Sequence, residues 1–190
     1  MDVEYKNINN LTLKNKTFED VDFLECTFNN CRFSDLSLVN LRFNSCNFKN
    51  CVITSFAFKY CSSFNCFFSN CSILNISWNL LQSSRILPVV KGFKDCTLKY
   101  NNFIRLQLSK MDFSSCNILD CYFDECILTK SNFTKADLQK SVFTGCDLRE
   151  ADFTNSHNYL IDIKTNRIKG AKFTYPEALN LLTTLDIIIK

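Results

Sequence analysis

The sequence predicts an all-β solenoid, and three observations carry the prediction. All 12 cysteines, from Cys26 to Cys146, stand at positions ending in 1 or 6, which is one register of a five-residue period. Two residues later runs a second register, of Phe, Leu and Ile, which takes sixteen of the 19 phenylalanines. A helix repeats every ~3.6 residues and a strand every ~2, so neither keeps positions five apart on one side over such a length. A coil of short straight segments with a corner at each repeat does. Its turns stack at a parallel-strand spacing of about 4.8 Å into a quasi-one-dimensional core.

The repeat unit is small–polar–(Phe/Leu)–x–x, read most cleanly in ADLQK (136–140) and ADFTN (151–155). The central residue and the small residue point inward. The 190 residues, 46% hydrophobic and 22% charged, fit one globular domain with a sizeable core. A single His supplies no His pair for a metal, and Gly92, Gly145 and Gly170 lie too far apart for a phosphate-binding loop. A net charge of +3 indicates neither a basic nucleic-acid binder nor a strongly acidic chain. The scattered basic residues and inward phenylalanines give no stacking platform, so no direct nucleic-acid binding is expected.

Residues 1–12 form a lead-in and first coil. MDVEYKNINN is polar and lacks the apolar core of a secretory signal, and no apolar run reaches membrane-span length; a cytoplasmic protein is expected. There the cysteines stay reduced and act as small, buried apolar residues. If four repeats close one coil, those twenty apart, such as Cys26, Cys46 and Cys66, stack in one ladder, within reach of a disulfide. No CxxC occurs, which leaves metal and redox readings weak.

Residues 13–156 are the repeat body. Leu36, Leu41, Phe56, Ile76, Leu106 and Met111 are large residues at the small position and predict bulging, above all in the N-terminal half. From Cys116 to Ser156 the repeats are nearly ideal, so that half is expected to be the more rigid. The aromatic register fails at Ser63, Ser83 and Pro88. The last two mark an interruption at about 79–92, NLLQSSRILPVVKG, in which two or three units give way to an excursion. Its apolar residues, Leu80, Leu81, Ile86, Leu87, Pro88 and Val89 beside Arg85, either form a contact surface or pack back on the coil.

Residues 157–190 leave the repeat. Thr174 and Glu177 fit a capping box with Pro176 in the first turn. Ala178, Leu181, Leu182 and Leu185 then fall on one helical face, and Ile187 to Ile189 read as a short strand. The segment caps the solenoid, or dimerises, or both, because it carries more apolar residues than one coil end hides.

The units over roughly residues 8–156 resemble the pentapeptide-repeat family, which implies a right-handed quadrilateral β-helix, here with a short C-terminal α-helix. The tail NRIKGAKFTYPEALNLLTTLDI and the run FIRLQLSKMDFSSC (103–116) are similar to the Qnr-type quinolone-resistance proteins and to the related microcin-immunity proteins. That resemblance implies a homodimer through Pro176, Ala178, Leu179, Leu181, Leu182, Leu185 and Ile187. It implies a contact loop built from Leu80, Leu81, Arg85, Ile86, Leu87, Pro88 and Val89. It further implies a partner, DNA gyrase or topoisomerase IV, protected from quinolones or peptide poisons by DNA-like shape. With Lys+Arg 22 against Asp+Glu 19, shape and loop rather than charge would carry recognition. No catalytic residue, cofactor or metal is expected: His157 stands alone, and Asp and Ser occupy turn positions. The alternative is a non-enzymatic β-helical scaffold with an unrelated protein partner.

Overall fold

Five-residue repeats become a coil because the chain enters the left-handed region at every fifth residue. From Tyr5 to Asn75 each residue ending in 5 or 0 has φ between 51° and 57°, and the pattern resumes from Asp95 to Asn155. Asn and Asp, which tolerate this region best, hold many of these positions, with Ser, Lys and Tyr at others. The computed structural model describes residues 1–82, 88–185 and 187.

Between corners run strands of three residues. Those of the first coil are Asp2–Glu4, Asn7–Asn9, Thr12–Lys14 and Thr17–Glu19. Each pairs in parallel with a strand twenty residues on: Asp2 with Asp22, Ile8 with Phe28, Leu13 with Phe33 and Phe18 with Leu38. The chain is therefore an all-β solenoid of four parallel columns, continued toward the C-terminus by isolated bridges.

The inward residues of one column form an aromatic stack. Phe28, Phe48, Phe68, Phe93, Phe113, Phe133, Phe153 and Phe173 lie ring on ring, with centroids 4.6–5.7 Å apart. Trp78, Phe103, Phe123 and Phe143 form a second stack, which meets the first edge-to-face, as at Phe123 and Phe133. Both geometries are favoured by the ring quadrupole.

Later repeats tighten. In ADLQK the strand contracts to a β-turn: the Ala136 amide donates to the Phe133 carbonyl at 3.0 Å and the Ser141 amide to Leu138 at 3.0 Å. The polar residue of the unit fixes this turn. Asp112, Asn132, Asp137, Asp147 and Asp152 each accept the amide two residues on, at 2.9–3.3 Å, the local bond that favours Asx residues in turns.

The interruption is narrower than expected. Trp78–Leu80 is a 3₁₀ turn, and the Gln82 amide still bonds the Cys61 carbonyl at 2.7 Å. The ladder is regained where the Lys91 amide bonds Cys66 at 2.7 Å. Across the break Phe68 pairs with Phe93, Ile73 with Leu98 and Ser77 with Asn102, a register of 25 instead of 20. One coil has thus gained five residues, and the pattern resumes in phase because the insertion equals one repeat. Gly92 closes the loop where a Cβ would lie 3.0 Å from the Phe67 ring and 3.1 Å from Asp112.

The C-terminal segment also differs from expectation. Glu177–Leu185 is a nine-residue 3₁₀ helix, not an α-helix, and Pro176 follows a cis peptide. Thr174 and Glu177 do not form a capping box. In most coils the left-handed residue donates its amide to the carbonyl nineteen residues on, as Glu150 does to Lys169 at 3.0 Å, or 24 residues on across the loop, as Asn70 does to Lys94 at 3.0 Å. For Asn155 and Asn158 side chains replace that carbonyl: Thr174 Oγ1 accepts the first amide at 2.9 Å and Glu177 Oε1 the second at 2.8 Å. The last coil's needs therefore shape the segment. The Thr183 and Thr184 hydroxyls bond back to carbonyls three residues earlier, in keeping with a tight i to i+3 turn. Ile187 lies outside any strand, and Ile188 and Ile189 lie outside the described residues.

Candidate interaction surfaces

Among the described residues no group of three His, Cys, Asp or Glu is placed to hold a metal ion. All twelve thiols are free and buried. Burial pushes the Cys121 thiol up to about 11; its hydrogen bond with Cys116, then burial against an opposing bond from Cys71, pushes Cys96 up to about 12. Such thiols are neutral and poor nucleophiles. His157 Nε2 lies at the surface, 3.7 Å from Asp137 Oδ2.

Around the loop, Leu80 is exposed at 51%, whereas Leu81 and Val89 are buried at 4% and 1% and belong to the core. Pro88 is half-buried. Arg85, Ile86 and Leu87 lie outside the described residues. Leu81 and Val89 thus anchor the loop stems, and of the described residues in the sequence-derived contact set only Leu80 is freely presented. One coil earlier, at the same corner by the Ser62–Gln82 register, Tyr60 is 64% exposed under the Lys59 ammonium. Its signal in the sequence was an aromatic at a turn position.

At the C-terminus none of the helix residues is fully buried. Leu181 packs against the core; Ala178, Leu182 and Leu185 are half-buried; Pro176, Leu179 and Ile187 are exposed. The helix lies against the strand Leu160–Ile161. Leu160 itself is 63% exposed and heads a column in which it pairs with Val142, which pairs with Tyr122, each of them exposed. Sequence reasoning missed this apolar ladder, because its members stand 18 to 20 residues apart and fall together only when coils stack. Under the helix Tyr159 is buried with its hydroxyl unpartnered.

A minority of the charged residues form ion pairs, most of them between successive coils. Arg42 pairs with Asp22, Arg105 with Glu125 at 2.8 Å, Lys130 with Glu150 at 3.4 Å and Lys172 with Asp152 at 3.2 Å. Asp147 carries Arg149 at 2.6 Å and Arg167 at 3.6 Å, and Arg149 holds its carboxyl below the usual range.

Residues 96–173 match the family model of the pentapeptide repeat region. No curated protein matches the sequence. Among solved structures, the fold is similar to that of a trypsin-treated variant of QnrB1, a plasmid-mediated fluoroquinolone resistance protein. The TM-score is 0.58 and the identity 17%, over 97% of this chain and 100% of that one. A second trypsin-treated QnrB1 variant gives a TM-score of 0.52 at 20% identity, over 96% and 99% of the chains. At these identities the likeness shows a shared fold.

Proposed function

We propose that this chain, a pentapeptide-repeat protein with the solenoid fold of QnrB1, binds a bacterial type II topoisomerase, DNA gyrase or topoisomerase IV, and protects it from quinolones or peptide poisons. The observation that carries the reading is a pairing of features on one rod: a single five-residue loop insertion and a C-terminal helix none of whose residues is fully buried. A bare scaffold needs neither. The residues of that tail, NRIKGAKFTYPEALNLLTTLDI, are also those that resemble the Qnr-type proteins. In this reading the helix joins two copies through Pro176, Ala178, Leu179, Leu181, Leu182, Leu185 and Ile187. The loop then meets the enzyme through Leu80 and its neighbours, and steric likeness to a duplex contributes more than charge. Protection proceeds by competition with DNA or by destabilising the drug-trapped cleavage complex.

The test is a supercoiling assay with a fluoroquinolone, into which the purified protein is titrated. Rescue at low micromolar protein supports the proposal. No rescue of either enzyme, with a peptide poison also tried, favours the alternative of a non-enzymatic scaffold.

A further inference from the structure

The two halves of the solenoid are filled differently. In the C-terminal half Phe103, Phe113, Phe123, Phe133 and Phe153 are at most 1% exposed. In the N-terminal half Phe23, Phe43 and Phe58 point inward yet are only half-buried. For Phe43 this is not an end effect, since it is paired on both sides, to Phe23 and to Ser63. What it faces is an apolar cavity of about 160 Å³ that is partly open to the outside.

The sequence explains the hole. Ser63 holds a position that the repeat fills with Phe, Leu or Ile, so one large side chain is missing from the axis. Leu36, Leu41, Phe56 and Ile76, the large residues at the small position, line the same cavity. They fill the corners and do not reach across to close the gap. Ile8, Leu11, Leu13 and Phe18 of the first coils line it as well, and Leu11 is exposed, so the space extends to the N-terminal end of the rod. The lining is hydrocarbon except for the Ser63 hydroxyl and the Cys66 thiol, which bonds the Phe43 and Phe64 carbonyls. A water needs two to four polar partners, and an apolar cavity of about 150 Å³ lined by Leu, Ile and Phe stays dry and accepts benzene or xenon.

We propose that the N-terminal coils form a lumen that binds a small, uncharged, apolar molecule of about one aromatic ring. Phe43 and Phe58 flank it, and the vacancy at Ser63 makes the room. Charged molecules are excluded, because nothing in the lining offsets their loss of hydration.

The experiment is thermal unfolding of the full chain with saturating benzene and, separately, with benzoate. Benzene is expected to raise the midpoint by about 2–4 °C and benzoate to leave it unchanged. In Ser63→Leu, whose side chain fills the vacancy, the benzene shift is expected to vanish. No shift in the wild-type chain, or an equal shift in Ser63→Leu, overturns the proposal. Should Ser63→Leu not fold, xenon-pressurised crystals of the wild-type protein decide: a xenon peak between Phe43 and Phe58 supports the lumen, and its absence overturns it.

Discussion

At the scale of the residue, the cysteines are more than small apolar fillers. Each corner residue carries a buried amide that needs an acceptor. At several corners that follow a three-residue strand, a side chain one coil on supplies it. The Cys51 amide meets Cys71 Sγ, Cys71 meets Cys96 Sγ and Cys96 meets Cys116 Sγ, each at 3.4 Å; the Cys121 amide meets Ser141 Oγ at 3.1 Å and the Cys146 amide Asn166 Oδ1 at 2.9 Å. Where a tight turn precedes it, the amide bonds its own turn, as Cys116 does to Phe113, and the residue one coil on is free to be Ala136. Cys96→Ala therefore strands the Cys71 amide and should cost ~1–3 kcal/mol in urea unfolding, whereas Cys96→Ser keeps an acceptor and should cost less. Equal losses would show that only volume matters at the corner.

The same thiols give a pH dependence. Their ordinary pKa is 9.0; in the fold Cys71 and Cys96 rise to about 12 and Cys121 to about 11. Above pH 9 the unfolded chain releases thiol protons that the folded chain retains, which favours unfolding. Stability from these groups is thus complete below pH 9 and is lost as pH rises toward 12. Midpoints measured in reducing buffer across that range should fall progressively, and less so in Cys121→Ser.

At the scale of the element, the loop and the cap have separable roles. The loop inserts one repeat's length between Gln82 and Lys91, and the ladder holds on both sides of it. Removing residues 83–87 should restore a uniform register of twenty. The expected product is folded by circular dichroism yet no longer protective in the supercoiling assay; retained protection would remove the loop from the proposed contact. The cap's apolar face is half-buried on one copy. Leu182→Asp should then give monomers by light scattering, and a species that stays dimeric would leave the helix as a cap alone. Beneath it, the Tyr159 hydroxyl has no hydrogen-bond partner, so Tyr159→Phe should be neutral or stabilising by up to ~1 kcal/mol in the same unfolding experiment.

At the scale of the whole molecule, stability is graded along the axis. A solenoid's stability is a sum over coils and their interfaces, and here the C-terminal coils are densely filled while the N-terminal ones enclose a cavity. Phe133→Ala, in a stack of rings 4.8 Å apart, should cost ~3–5 kcal/mol. Phe43→Ala merely enlarges an existing hole and should cost less. Amide exchange should be slower from Cys116 to Ser156 than from Asp22 to Asn65, and the reverse order would contradict the gradient.

The five-residue period was legible in the sequence because it comes from a local event, one left-handed residue per repeat, and because inward positions recur at fixed short spacing. Composition and the two registers were enough to place Phe113 or Leu138 in the core, and the loop was visible as a failure at Ser83 and Pro88. The rest depends on contacts between residues 18 to 25 apart, set by how coils stack. Only stacking shows that Cys96 accepts from Cys71, that Tyr122, Val142 and Leu160 make one exposed ladder, and that Leu81 and Val89 point inward. Only the free amides of the last coil turn Thr174 and Glu177 from a capping box into substitutes for a missing coil. The period specified which side of the chain faces inward. The tertiary structure decided which residues meet there, because one inserted repeat sets the column partners across the loop 25 residues apart instead of twenty, and the spacing of twenty then returns, without disturbing the local pattern.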